Sequence, residues 1–528
     1  MFLKKNYENI IYITLYLLLI LFFLYSKNSL FSHWSDILDQ DVTLIYNSLI
    51  IGSNLYQEYL DHPAFTTFFI LNFFYELGYY LNILDFNNIE ELLKHTNKDR
   101  ALQSLHNLSQ FVHLIYSIIL AIVLRKIIYD IVKDNLSSLF LTIIFLISPS
   151  FIFLFDLIRS EILSLLLIFL FYICLIKSIE KNIFYIIIAG FLFVISLLAK
   201  VQIILSLIPI LILFFINSYG TDIKQKIKIS NFINILINLL IISFVIFIID
   251  NFFYKRIDKI FFIFIIFLLI LIFFSHEKKI TGKRTSNFML FLFFIGGCIS
   301  IFCFKILSII GFAYFHPSLI DIITSPISQM SSISTGYSIG RSDNFEYLVK
   351  ITNYFFETRK AWNINTFAFL NNKFNIITYI LALVFILFFM YKKKYFEAFL
   401  IFTFNFSIIL LILIFNFRPY FFYDIYILPL NLFLISIILK DLKNKKIYTF
   451  LYLITYLFLN FAEINNYLDQ KRSSGIFDKK VSAENNMKII CKDESIINKG
   501  SYMRFWQSKY DENFLRDLCK SYSKNLIN

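Results

Sequence analysis

AFTTFFILNFFYELGYYLNIL, residues 64–84, is long enough to cross a bilayer, yet it carries Asn72, Glu76, Gly78 and Asn82. A helix needs about 20 apolar residues to span the hydrocarbon core, whereas one with polar interruptions can instead lie along the membrane surface. The choice decides the fold, because it inverts the sidedness of every segment that follows.

The lysines and arginines arbitrate, since short cytoplasmic loops collect them near span ends. With 64–84 on the surface, 21 basic residues fall on one side, in short clusters: Lys4 and Lys5, Arg125 to Lys133, Lys177 and Lys181, Lys224 to Lys228, Lys278 to Arg284, Lys392 to Lys394, and Lys440 to Lys446. The opposite short loops hold 6: Arg159, Lys200, Lys255, Arg256, Lys259 and Arg418. Were 64–84 to span, 19 of the 21 would be exterior. The surface position is therefore expected.

Apolar runs elsewhere then predict an all-α polytopic membrane protein of about 13 transmembrane helices. The spans are near 10–25, 107–124, 137–155, 161–177, 183–199, 201–217, 231–250, 260–274, 287–310, 374–391, 396–416, 424–439 and 447–463. Residues 1–463 form one transmembrane domain with large exterior loops near 26–106 and 311–373, and 464–528 is a polar tail, expected outside. Lys4 and Lys5 precede a long apolar run with no small-residue cleavage site, so the first span is expected to be retained.

Composition agrees: 58% of the 528 residues are hydrophobic and 16% charged, too little polar surface to clothe a water-soluble core. The net charge of +13 lies in short inter-span clusters, which argues for a topology signal and against nucleic acid. Among the 12 glycines no phosphate-cradling nucleotide motif occurs, and no large cytoplasmic segment would house an ATP-driven module. Cys174, Cys298 and Cys303 sit in apolar stretches as small hydrophobes. Cys491 and Cys519 in the tail are candidates for a disulfide if they meet outside.

Residues 39–63, DQDVTLIYNSLIIGSNLYQEYLDHP, follow the first span and bring acids to the exterior membrane edge. From Asp41 through Tyr46, Ser48 and Gly52 to His62-Pro63, the arrangement resembles the first exterior loop of the C-type (GT-C) glycosyltransferases that use polyprenyl-phosphate sugars, among them aminoarabinose lipid A transferases and protein O-mannosyltransferases. That family often has an Asp-Glu pair, where this chain has Asp41-Val42. Asp41 suits the spacing to Gly52 and His-Pro better than Asp39 does.

The resemblance implies a GT-C-like fold with exterior juxtamembrane helices and an inverting transfer. A sugar passes from polyprenyl phosphate to an acceptor hydroxyl on a glycan, lipid or protein, on the periplasmic side of a bacterial plasma membrane. A sugar on lipid phosphate already has a good leaving group, so one carboxylate serving as base is enough. Asp41, with Asp39 second, is the expected catalytic residue. Lys200, Arg418 and Arg159 are the expected phosphate ligands, the first two being cations at exterior span ends.

Asp156, Glu161, His62, Gln202 and Tyr423 are expected to support the site. Simpler roles compete: a helix cap for either Asp, snorkelling for Lys200 and Arg418, an ion pair of Arg159 with Asp156 or Glu161, and a helix-opening role for His62-Pro63. His62 has no partners at metal-ligand spacing, and no cofactor is implied beyond a possible divalent metal. A lipid or polysaccharide transporter would line its spans with polar groups, and a polysaccharide polymerase or ligase would rely on a later exterior loop.

Overall fold

The computed structural model describes residues 41–55, 64–155, 157–182, 184–200, 203–219, 286–309, 373–415, 420–440 and 442–473. Among them the regular structure is helical. The helices are α1 (Asp41–Gly52), α2 (Phe65–Tyr80), α3 (Ile89–Lys94), α4 (Lys98–Val132), α5 (Asn135–Leu146), α6 (Pro149–Phe155) and α7 (Ser160–Glu180). There follow α8 (Tyr185–Ala199), α9 (Ile204–Tyr219), α10 (Ser286–Ile309), α11 (Lys373–Tyr391), α12 (Tyr395–Phe415), α13 (Tyr420–Leu439) and α14 (Lys445–Ser473).

By length and composition, three are long and apolar enough to cross a membrane, within Lys98–Val132, Ser160–Ser178 and Phe374–Tyr391. Shorter apolar helices cover Asn135–Leu146, Tyr185–Ala199, Leu292–Leu307, Glu397–Ile409 and Asp424–Leu439. The expected spans 10–25, 231–250 and 260–274 lie outside the described residues, as do the second exterior loop and most of the tail.

Residues 64–84 form α2 and a left-handed exit: Asn82 has φ 56°, and the Ile83 amide donates to the Gly78 carbonyl at 2.8 Å. Phe65, Phe68, Leu71, Asn72, Tyr75 and Gly78 are buried, a stripe at helical spacing, whereas Phe73, Leu77 and Tyr80 are exposed. Two contacts tie the buried stripe to neighbours: Tyr75 and Ser109 of α4 share a hydroxyl–hydroxyl bond of 2.6 Å, and the Thr66 hydroxyl donates to the Ile195 carbonyl of α8 at 2.7 Å.

The expected single span 137–155 is divided into α5 and α6. Pro149 is the cause, because it has no amide to give the preceding turn and disfavours helical backbone at Ser148. Ser148 instead caps α6: its hydroxyl accepts from the Phe151 amide at 3.2 Å, with Pro149 in the first helical position, where a missing N–H costs nothing. The expected span 107–124 lies inside α4, which continues to both sides over 35 residues.

At one end of the bundle α4 closes on Lys133 with φ 56°, Lys126 pairs with Asp130 at 2.6 Å, and α14 begins alongside. Here the Lys445 ammonium donates to the Val132 carbonyl at 2.8 Å and Lys446 lies 3.9 Å from Asp134. The turns at 132–134 and 445–446 thus meet at one end. The start of α7 and the close of α8 lie together, at the end of this helix pair away from Lys177 and Lys181.

Helix α8 packs against α7 on one side and α10 on the other. Its crossing with α10 is very close: a Cβ on Gly190 would lie 1.8 Å from the Phe293 carbonyl oxygen, and one on Gly296 1.9 Å from that of Ile187. Glycine on both helices is what lets the two backbones touch.

Candidate functional site

Helices α7 and α8 are antiparallel neighbours, so the first turn of one faces the last turn of the other. Two layers of polar contact result. In the outer layer the Lys200 ammonium stands 3.1 Å from Glu161 Oε1, with side-chain exposures of 11% and 6%. One helical turn inward, the Ser196 hydroxyl donates to the Ser164 carbonyl at 3.0 Å. The Ser164 hydroxyl in turn meets the Tyr426 hydroxyl of α13 at 3.2 Å.

Local sequence places each group. Arg159, in extended backbone, is the N-cap of α7 and puts Glu161 in the first turn, where the helix dipole favours a carboxylate. Lys200 is the C-cap of α8, a position favourable to a cation, and its amide donates to the Ser196 carbonyl at 3.0 Å. Arg159 is itself buried, and its charge and that of Lys200 both act on Glu161. Two cations and one carboxylate therefore share one buried corner. Taking them from water is costly and is offset only by close pairing and further hydrogen bonds.

Lys200, expected as a phosphate ligand at an exterior span end, stands beside the carboxylate of Glu161, which the antiparallel packing brings across. Arg159, for which an ion pair with Asp156 or Glu161 was the simpler role, lies close enough for its charge to act on Glu161.

Asp41 is the first residue of α1, and its side chain lies outside the described residues. At the other end of that helix a Cβ on Gly52 would meet Asn72 Oδ1 at 1.8 Å, and the Ser53 hydroxyl accepts from the Ile89 amide at 2.9 Å. Asp41 therefore occupies the end of α1 away from α3. Asp39, His62, Asp156, Gln202 and Arg418 lie outside the described residues, and Tyr423 is described only as backbone in the first turn of α13.

Four participants escaped the sequence reading: Ser164, Ser196, Tyr426 and Asp424. Asp424 is buried, and Ser150 of α6 donates to its Oδ2 at 3.4 Å. A lone acid in YFFYDIYILPL was the available signal, since an ionisable group inside an apolar helix marks a site by default. The serines carry no such signal, because their pairing depends on helix register. Among the described residues no three His, Cys, Asp or Glu side chains gather as a metal-ligand set.

Chemically the corner gathers the cations Arg159 and Lys200 about the Glu161 carboxylate, and the hydroxyls one turn below are engaged within it, Ser164 donating to the Glu161 carbonyl at 2.9 Å and Ser196 to that of Ser164. It lies at the end of the α7–α8 pair away from Lys177 and Lys181. Comparison with protein-family models, with curated proteins and with solved structures finds no match to this chain.

Proposed function

We propose that this chain is a multi-pass membrane glycosyltransferase with 13 spans, GT-C-like in architecture, that moves a sugar from polyprenyl phosphate to an acceptor hydroxyl on the exterior face of a bacterial plasma membrane. The observation that carries the reading is the buried Arg159, Glu161 and Lys200 corner at the end of the α7–α8 pair away from Lys177 and Lys181. Positive-inside topology makes that end exterior, where lipid-linked sugars are used without a soluble nucleotide. The degenerate first-loop motif from Asp41 to His62-Pro63 supports the same reading.

In this mechanism Asp41 accepts the proton of the acceptor hydroxyl as it attacks the anomeric carbon, and the configuration inverts. Lys200 and Arg159, with Arg418, stabilise the charge gathering on the departing lipid phosphate. The lipid tail lies between helices. The thirteen-span topology makes the first loop exterior, so Asp41 and the cationic corner share one side.

Purified protein given radiolabelled polyprenyl-phosphate sugar and candidate acceptors tests the proposal. Transfer is expected from wild type and a loss of at least about a hundredfold from Asp41→Asn, the scale of general-base catalysis. Undiminished transfer by both Asp41→Asn and Asp39→Asn would sink the carboxylate mechanism.

A further inference from the structure

The Glu161–Lys200 pair raises a question that the transfer reaction leaves open: a lysine assigned to a lipid phosphate is already occupied. Its ammonium is buried and 3.1 Å from Glu161 Oε1. Among the described residues the other carboxylate oxygen, Glu161 Oε2, is buried and has no hydrogen-bond partner. Lys200 therefore engages one carboxylate oxygen and leaves the other open, unlike a bidentate pair in which both are engaged. A monodentate contact is more readily exchanged for another anion than a bidentate one.

We propose that Glu161 is an internal competitor for the lipid phosphate, so that anion binding at Lys200 is an exchange in which the carboxylate leaves as the phosphate arrives. The proposal rests on the reading of Lys200 as a phosphate ligand. It gives the burial of the ammonium a role, because the arriving phosphate takes the place of the carboxylate in the enclosed corner. Exchange also keeps Lys200 paired when no lipid is bound, avoiding the large cost of an orphaned buried charge. When the lipid phosphate leaves, Glu161 returns and opposes rebinding. The competitor thus weakens the hold on donor and on spent lipid carrier alike, and it favours release of the latter.

The test uses the full chain in lipid nanodiscs, with radiolabelled polyprenyl phosphate as probe and uncharged polyprenol of equal length as control. Removing the competitor tightens binding, an outcome that structural damage does not imitate. Glu161→Gln is expected to bind polyprenyl phosphate about tenfold or more tightly than wild type, the scale of one charge-assisted hydrogen bond. Glu161→Asp, which keeps the charge but shortens the reach, is expected to fall between the two, and it decides the matter if the Gln variant does not fold. Lys200→Met, alone or with Glu161→Gln, is expected to lose the preference for polyprenyl phosphate over polyprenol.

Unchanged or weaker binding in a folded Glu161→Gln variant, with Lys200→Met still impaired, overturns the exchange and leaves the phosphate role of Lys200 standing. Unchanged binding in Lys200→Met overturns both.

Discussion

Replacing Lys200 by Met and Glu161 by Gln, singly and together, measures whether the α7–α8 corner is one electrostatic unit. Both side chains are nearly enclosed, at 11% and 6% exposure, and their charged atoms are 3.1 Å apart. Removing one partner of such a pair leaves an uncompensated buried charge and costs about 3–5 kcal/mol. The two singles are not equivalent. Lys200→Met leaves Glu161 in the field of Arg159, so its loss belongs near about 3 kcal/mol. Glu161→Gln leaves two buried cations without their shared carboxylate, so its loss belongs near about 5 kcal/mol. The double variant removes both members of the pair and is expected within about 2 kcal/mol of wild type, since neutral replacement of a buried pair is often tolerated. Reversible unfolding by detergent titration in mixed micelles gives the four free energies, and the cycle gives the coupling. A double variant that loses the sum of the two singles would refute the account, because the charges would then act independently.

Three further outcomes follow from the packing. Gly190→Ala sets a Cβ 1.8 Å from the Phe293 carbonyl and is expected to lose about 3 kcal/mol or abolish folding, whereas Gly297→Ala, whose Cβ meets Val194 Cγ2 at 3.0 Å, is expected to be much milder; fluorescence-detected size exclusion across a temperature series ranks them. Lys445→Met removes the donor to the Val132 carbonyl and is expected to cost about 1 kcal/mol in the same detergent titration, with lipid-phosphate binding unchanged. In intact cells carrying the chain with its five native cysteines replaced by serine, a membrane-impermeant thiol reagent is expected to label Glu90→Cys and to leave Ile280→Cys unlabelled until the membrane is opened; labelling of both from one side overturns the topology.

Element types were legible because helix periodicity and apolar length are local properties, present in any window of the chain. The three long apolar helices fall where the runs of sequence placed them, and Pro149, which divides α5 from α6, stands plainly in the sequence. Its effect was missed because the apolar run continues on both sides, and hydropathy does not register a lost amide. The lysine clusters were likewise readable one loop at a time. Their meeting, Lys445 on Val132 and Lys446 near Asp134, links residues more than three hundred positions apart.

The sequence by itself determined that a helix lies within residues 64–84, that the chain is dominated by apolar helices, and which loops are basic. Tertiary structure alone decided which face of 64–84 is buried, through Tyr75 on Ser109 and Thr66 on Ile195. It alone decided, too, that Lys200 faces Glu161 and not a ligand by default. The physical reason is that apolar burial is nearly non-directional and follows composition, whereas an ion pair forms only when the register and sense of two packed helices bring its atoms within a few ångströms.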